Sequence, residues 1–345
     1  MDSIHYVGMD VHKRFIQFCV KDPSGTIEQK GKVEARQYQL KQWAERLPKP
    51  WVGGMEATMF SAWIHDLLQP YALRVEVGNP GLMKAIYAGK NKSDELNAEQ
   101  IADLVRADLL PRVYVPAPQL RVLRDMLRFR NGLVADLVQM KNRMASLLMQ
   151  YGAEFERARL HRQGYFQQLR QQWSQWVPAP VPELLECGRS QVEALHQLDT
   201  RLVSQLEQAP QIAGRVAHLR QIGGVGAITA LTWVLEVGDV SRLRSIRRAI
   251  SYCGLCSAQR QSAGKSQRGP LSKQRNAHLQ TVLVEAAHLA PRWNTQLAQL
   301  HERELQRGHR NRATLTVARK LVTYLLAADR QYHRLPAPAA SGQIT

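Results

Sequence analysis

This chain predicts an α/β plus α fold: a layered α/β domain followed by a mainly helical remainder. Three observations predict it. Strand-like and helix-like segments alternate up to about Leu110. Proline-punctuated PRVYVPAP (Pro111 to Pro118) closes that alternation, and long stretches of helically spaced leucines follow.

Residues 4 to 22 alternate as strands do, with Tyr6, Gly8, Phe15 and Phe18 among aliphatic neighbours. Asp22-Pro23-Ser24-Gly25 supplies a turn into a further extended run, so a β-meander opens the chain. Gln37 to Leu47 has helical periodicity through Leu40, Trp43 and Leu47, and Pro48 and Pro50 stop it. WVGGME starts a fresh strand, and RVEVGN (Arg74 to Asn79) is another, closed by Asn79-Pro80. The segmentation is a first domain over residues 1–114, a helical coiled-coil segment over 115–210, a C-terminal domain over 211–330 and a disordered tail over 331–345.

In the middle segment Leu120, Leu123, Leu127, Val134, Leu137, Met144 and Leu148 hold the two apolar positions of a heptad, interrupted by Arg130 and Lys141. A second stretch with Leu195, Leu198, Leu202 and Leu206 follows the break VPAPVPE. Two such helices fold back as an antiparallel pair or pair with another copy of the chain. The polar seam residues point to a homo-oligomer, a dimer or tetramer, because such residues fix register at a cost in stability. Leu219 to Asp239 places a glycine turn between two helices, as in a helix-hairpin-helix whose backbone amides hold a DNA phosphate; a tight turn without a ligand is the other reading.

A formal net charge of +18 and a pI near 10.1 over 345 residues draw a polyanion to the surface, which makes nucleic acid the expected partner. The longest apolar runs, near Ala227 to Val237, fall short of the roughly 20 residues that a membrane-spanning helix needs. MDSIHYVGMD has no secretory pattern, so a soluble cytoplasmic protein is expected. Cys253 and Cys256 form a CxxC pair with no further ligands close by, and Cys19 and Cys187 stand apart, which reads as buried thiols in a reducing compartment.

Three carboxylates carry the chemistry: Asp10 in YVGMDVH, Glu56 in VGGMEAT and Asp94 in NKSDELNAE. Asp10 and Glu56 each close a predicted strand, and Asp94 begins a predicted helix that carries Asn97 one turn later on the same face. Converging carboxylates hold divalent ions about 4 Å apart that activate one oxygen and stabilise another. Hard oxygen ligands suit Mg2+ or Mn2+ rather than zinc. Any one of these acids alone reads as a solvated surface group or a helix cap, Asp94 especially as the cap of the helix through Ala102, and only the set is informative.

The strings YVGMDVHK, GMEAT and NKSDELNAEQIADL, with the later GLCSAQRQSAGKSQRGPLSK, resemble the insertion-sequence transposases and pilin-gene invertases that have a DEDD-type RuvC-like domain. The resemblance spans about residues 4 to 325. It implies a RuvC/RNase H-like fold for residues 1–114, a transposase domain with a helix-hairpin-helix for 211–330, and a recombinase acting on donor and target DNA. Several such proteins use a bridge RNA as guide. The family's acidic set falls on Asp10, Glu56 and Asp94, while its fourth acid falls on Asn97, which keeps a carbonyl oxygen for a metal but brings no charge.

In the resembled family the nucleophile is the serine eight residues beyond the glycine of a GL pair, and counting from Gly254 gives Ser262. Attack on a phosphodiester would form a phosphoserine link that a free hydroxyl then resolves. Arg247, Arg248, Lys265, Arg268, Lys273 and Arg275 surround that segment as candidate phosphate contacts, with Lys265 and Arg268 neutralising developing charge. The family tends to have glycine where this chain has Arg275 and arginine where it has Gln280. A RuvC-like nuclease that uses water, and a catalytically inactive nucleic-acid-binding protein, are the alternative readings.

Overall fold

Apolar alternation in the first strands builds a central sheet. The computed structural model describes residues 3–86, 93–173, 177–262 and 265–335, with 258–262 and 265–268 described by their backbone. The chain divides into two compact units, Met1–Val115 and Pro116–Thr345.

In the first unit β1 (His5–Val11), β2 (Phe15–Lys21) and β3 (Ile27–Glu34) form the antiparallel meander expected from the turn at Asp22 to Gly25. Then come α1 (Gln37–Arg46), β4 (Trp51–Glu56), α2 (Ser61–Leu68), β5 (Arg74–Gly78), α3 (Pro80–Ile86) and α4 (Asp94–Arg106). The strand order is β3-β2-β1-β4-β5, with β4 parallel to both β1 and β5. The polar β3, IEQKGKVE, lies at the sheet edge, where charged side chains discourage pairing with other chains.

Strand alternation sorts residues between the two faces. Met9, Trp51 and Met55 join Leu40 of α1 and Ile64 of α2 in one core, while Val52 joins Ile101, Leu104 and Val105 of α4 in another. Gly8 and Gly54 lie on the α4 side, and both are small for a reason. A Cβ on Gly8 would fall 1.9 Å from the Ala98 carbonyl oxygen and 2.4 Å from the Ala102 nitrogen, and one on Gly54 would fall 2.3 Å from Val105 Cγ2. The helix therefore rests directly on the backbone of β1 and β4.

The second unit contains α5 (Pro118–Gln150), α6 (Gln163–Trp173), α7 (Val181–Gln208), α8 (Ala213–Leu219), α9 (Ala227–Val237), α10 (Ile246–Tyr252), β6 (Ser257–Ser262), β7 (Lys265–Leu271), α11 (Ala277–Leu289), α12 (Thr295–Gln306) and α13 (Arg310–Tyr332). The heptad leucines are used within the chain. Leu127 of α5 packs into a core with Leu206 of α7 and residues of α8 to α13, while Leu137, Met144 and Leu148 pack with α6 and the first half of α7. Arg130 Nε donates to Asp199 Oδ1 at 2.5 Å, and Met144 packs on Gly188, so α5 and α7 run antiparallel. Both polar seam residues thus meet α7 of the same chain, Arg130 at Asp199 and Lys141 at His196, which is the fold-back arrangement. The short α6 has no counterpart in the periodicity reading, because its glutamines dilute the apolar spacing of Phe166, Leu169 and Trp173.

The glycine turn between α8 and α9 is present, and Gly224 adopts φ +93°. It packs on the Ala290–Trp293 segment, where a Cβ at Gly223 would fall 2.7 Å from the Trp293 carbonyl oxygen. Close packing alone therefore explains these glycines. The tail expected from 331 starts later in the structure: Gln331 and Tyr332 finish α13, and residues 336–345 lie outside the described ones. Among the described residues no helix is long and apolar enough to cross a membrane.

Candidate functional site

Because Asp10 lies two residues after Gly8, and Glu56 two after Gly54, alternation puts both acids on the face covered by α4. They stand one step past the last paired residues of β1 and β4, Met9 and Met55, at the same end of the sheet. The start of α4 meets that end. Its cap is Ser93, whose hydroxyl accepts from the Leu96 amide at 3.1 Å, so Asp94 is not the cap and its carboxylate is released for other work.

Asp94 and Asp10 converge on a residue that the acid spacing did not flag, His12. Its Nε2 lies 3.6 Å from Asp10 Oδ2 and 3.4 Å from Asp94 Oδ2, and this buried nitrogen makes no hydrogen bond. One donor atom from each of Asp10, His12 and Asp94 lies within 4.8 Å of the others, the one such cluster among the described residues. Two hard oxygens and one imidazole nitrogen fit a divalent ion of the Mn2+ or Mg2+ class. The signal for His12 was its place two residues after Asp10, where alternation returns a side chain to the same face.

Asn97 joins through its amide, whose Nδ2 donates to Asp10 Oδ2 at 3.0 Å. This bond places Asn97 beside Asp10 at the start of α4. Glu56 stays half-buried at the neighbouring strand end, outside the close cluster. Behind the site, α4 is fastened to the meander by ion pairs: Lys21 Nζ donates to Asp103 at 2.7 Å and Lys30 Nζ to Glu99 at 2.8 Å. The Lys30 bond holds the Glu99 carboxyl below its usual range.

In the second unit the serine-rich segment expected as a loop is a hairpin of β6 and β7. Its strands SAQRQS and KSQRGPL carry polar residues on both faces, so no period-two apolar signal marks them. Ser262 is the last residue of β6 and pairs with Lys265; Arg268 pairs with Gln259. Residues 263–264 lie outside the described ones. Arg247 and Arg248 are exposed on α10, and Lys273 and Arg275 are exposed just after β7.

The feet of this hairpin are tied to Glu236, a buried residue of α9. Arg128 Nε and Nη2 donate to its two carboxylate oxygens at 2.8 and 2.9 Å, and Asn276 Nδ2 donates at 2.7 Å. The Tyr252 hydroxyl donates to the Glu236 carbonyl oxygen at 2.9 Å. Burial pushes this carboxyl up, but the bonds from Arg128 and Asn276 outweigh it and hold it below the usual range. The two positions that depart from the resembled family meet at Gly254. The Arg275 stem lies against it, where a Cβ would fall 2.5 Å away, and Gln280 Nε2 donates to its carbonyl oxygen at 2.6 Å. Gly254 itself has φ +70°, a conformation that favours glycine.

Cys253 is buried, and burial pushes its thiol up to about 12, far from a reactive thiolate. Cys19 is buried as expected, whereas Cys187 is exposed and Cys256 half-buried, because both fall on helix or turn faces that no other element covers fully.

Comparison with known families agrees with both units. A DEDD transposase model of the IS110 type matches residues 7–153, and the model described as "Transposase IS116/IS110/IS902 family" matches 216–302. A putative transposase y4qE of Sinorhizobium fredii is 24% identical over 82% of this chain and 70% of its own length. A probable family 20 transposase of Pseudomonas aeruginosa is 23% identical over 84% and 85% of the two chains. The transposase for insertion sequence element IS1111A of Coxiella burnetii is 23% identical over 83% and 78%. The chain therefore belongs to the IS110/IS116/IS902 family of transposases, enzymes that act on DNA.

Proposed function

We propose that this transposase exchanges strands between donor and target DNA with Ser262 as nucleophile and a divalent ion, Mg2+ or Mn2+, held by Asp10, Asp94 and His12, with Glu56 at the adjoining strand end. Residues 1–114 serve as a RuvC-like domain in this reading, and a bridge RNA selects the DNA sites. The observation that carries it is the convergence of Asp10 and Asp94 on the unbonded His12 Nε2 in a chain of transposase ancestry.

When bound, the ion supplies positive charge that acidifies a hydroxyl and stabilises a leaving oxygen. Asp10, oriented by the Asn97 amide, and Asp94, released by the Ser93 cap, are the anionic groups that hold it. The Ser262 oxygen loses its proton and attacks a backbone phosphorus; the bond to the leaving strand's oxygen breaks, and that oxygen takes up a proton. A hydroxyl of the second strand then attacks the same phosphorus and returns the Ser262 oxygen, which is reprotonated. Lys265, Arg268, Lys273, Arg275, Arg247 and Arg248 neutralise the phosphates along the way. Pocket and serine come from one chain or from two copies in a dimer or tetramer.

The test is trapping. Wild-type protein with its element's DNA yields a protein–DNA adduct stable to denaturation, and Ser262→Ala yields none. An adduct, or strand cleavage, that persists in Ser262→Ala would return the assignment to a hydrolytic nuclease that uses water.

A further inference from the structure

We infer that the α5–α7 helical pair carries a second, non-catalytic site that grips the phosphodiester backbone of a nucleic acid. A cleft of about 690 Å3 opens beside α7, lined by His161, Arg162, Arg189, Glu193, His196 and Arg201 among others. Cations crowd it. Lys141 reaches it from α5, with its Nζ 3.2 Å from His196 Nε2, and the His161 and His196 rings sit 5.3 Å apart.

Few acids answer this charge. Glu186 and Glu193 both pair with Arg189, and Asp199 pairs with Arg130. Arg162, Arg201 and Lys141 have no ion-pair partner among the described residues. The buried His161 Nδ1 also lacks a hydrogen-bond partner. Burial pushes Lys141 and both imidazoles down, and Lys141 adds to the effect on the rings, so the rings favour their neutral form and Arg162 and Arg201 carry the uncompensated charge. An anionic ligand would neutralise those guanidinium groups and offer the imidazoles a hydrogen-bond partner.

A phosphodiester fits best among such ligands. The chain carries a net charge of +18 and is a transposase, so a polymer with repeating phosphates already lies against it. Phosphate contacts of this kind position a nucleic acid without reading its sequence, which is the work expected of a site built from long cationic side chains on α7 and on the turn that leads into α6.

The experiment uses the full chain and two probes, a duplex DNA of mixed sequence and a single-stranded RNA of equal length, each titrated across salt concentrations. In Arg162→Gln/Arg201→Gln the slope of log K against log salt falls by about 1 for each phosphate that is no longer neutralised, and affinity drops alike for unrelated sequences. Glu193→Gln, which removes the carboxylate at the rim while Glu186 still holds Arg189, tightens binding. Arg292→Gln/Arg303→Gln, equal in charge but on exposed positions elsewhere, marks the decrease that net charge alone produces. A decrease confined to RNA assigns the site to an RNA ligand, and one confined to duplex assigns it to DNA. A decrease in the cleft variant no greater than in the Arg292/Arg303 variant, on both probes, overturns the inference.

Discussion

The acid pocket and the serine hairpin are assembled by opposite means. Asp10, Glu56 and Asp94 are set by contact between apolar surfaces and bare backbone, with Gly8 and Gly54 letting α4 settle on the sheet. The hairpin is rich in polar residues, and its feet are anchored by a buried carboxylate with its cation and amide partners. The first device resists changes of salt and pH and fails when volume changes. The second tolerates volume and fails when charge changes.

That contrast breaks most severely at Glu236. Glu236→Ala leaves Arg128 and Asn276 without their buried partner and is expected to cost about 3–5 kcal/mol, read as reduced amide-exchange protection across β6, β7 and the start of α11. Protection of β1 and α4 should be unaltered. Next in size is Gly8→Ala, whose new methyl group meets α4 backbone; an overpacking cost of about 1–3 kcal/mol should appear as reduced protection in β1 and α4, with weakened Mn2+ binding by calorimetry and an unchanged hairpin.

Charge at the pocket sharpens the comparison on a smaller scale. Asn97→Asp adds an anion beside Asp10, and His12→Ala removes the imidazole ligand; each should move Mn2+ affinity by roughly tenfold, about 1.4 kcal/mol, in opposite directions. Equal affinities in all three proteins would show that the ion sits elsewhere. Acid gives the smallest effect. Glu236 and Glu99 both titrate below the usual carboxylate range, so their contributions are fully present above about pH 4.3 and fade as pH falls through the folded-state values. The effect should be greater at Glu236, which is buried, than at Glu99, whose side chain is 30% exposed and screened by water. Exchange measured down a pH series checks the order.

Sequence legibility follows the same division. The meander, the strand WVGGME and the helix from Asp94 were readable because apolar alternation and prolines write them locally, and the acids could be located at their ends. His12 was not, since one histidine after a strand carries no pattern until α4 brings Asp94 to it over the same face of the sheet. Nor was the role of Ser93, because a cap and the acid after it look alike until the Leu96 amide chooses between them. The β6–β7 pairing stayed hidden for want of apolar residues, and Glu236 because an acid inside the apolar run ALTWVLEV gives no hint of the arginine 108 positions earlier that neutralises it.

Fastening at the feet has a consequence for variation. Tyr252 and Asn276 are gripped by one residue from a different helix, and Cys253 and Leu255 lie in the core beside them, so the strands β6 and β7 leave and re-enter the unit at fixed points. Grafting a longer or shorter finger there would alter how far the protein reaches toward its substrate without disturbing the palm that carries it.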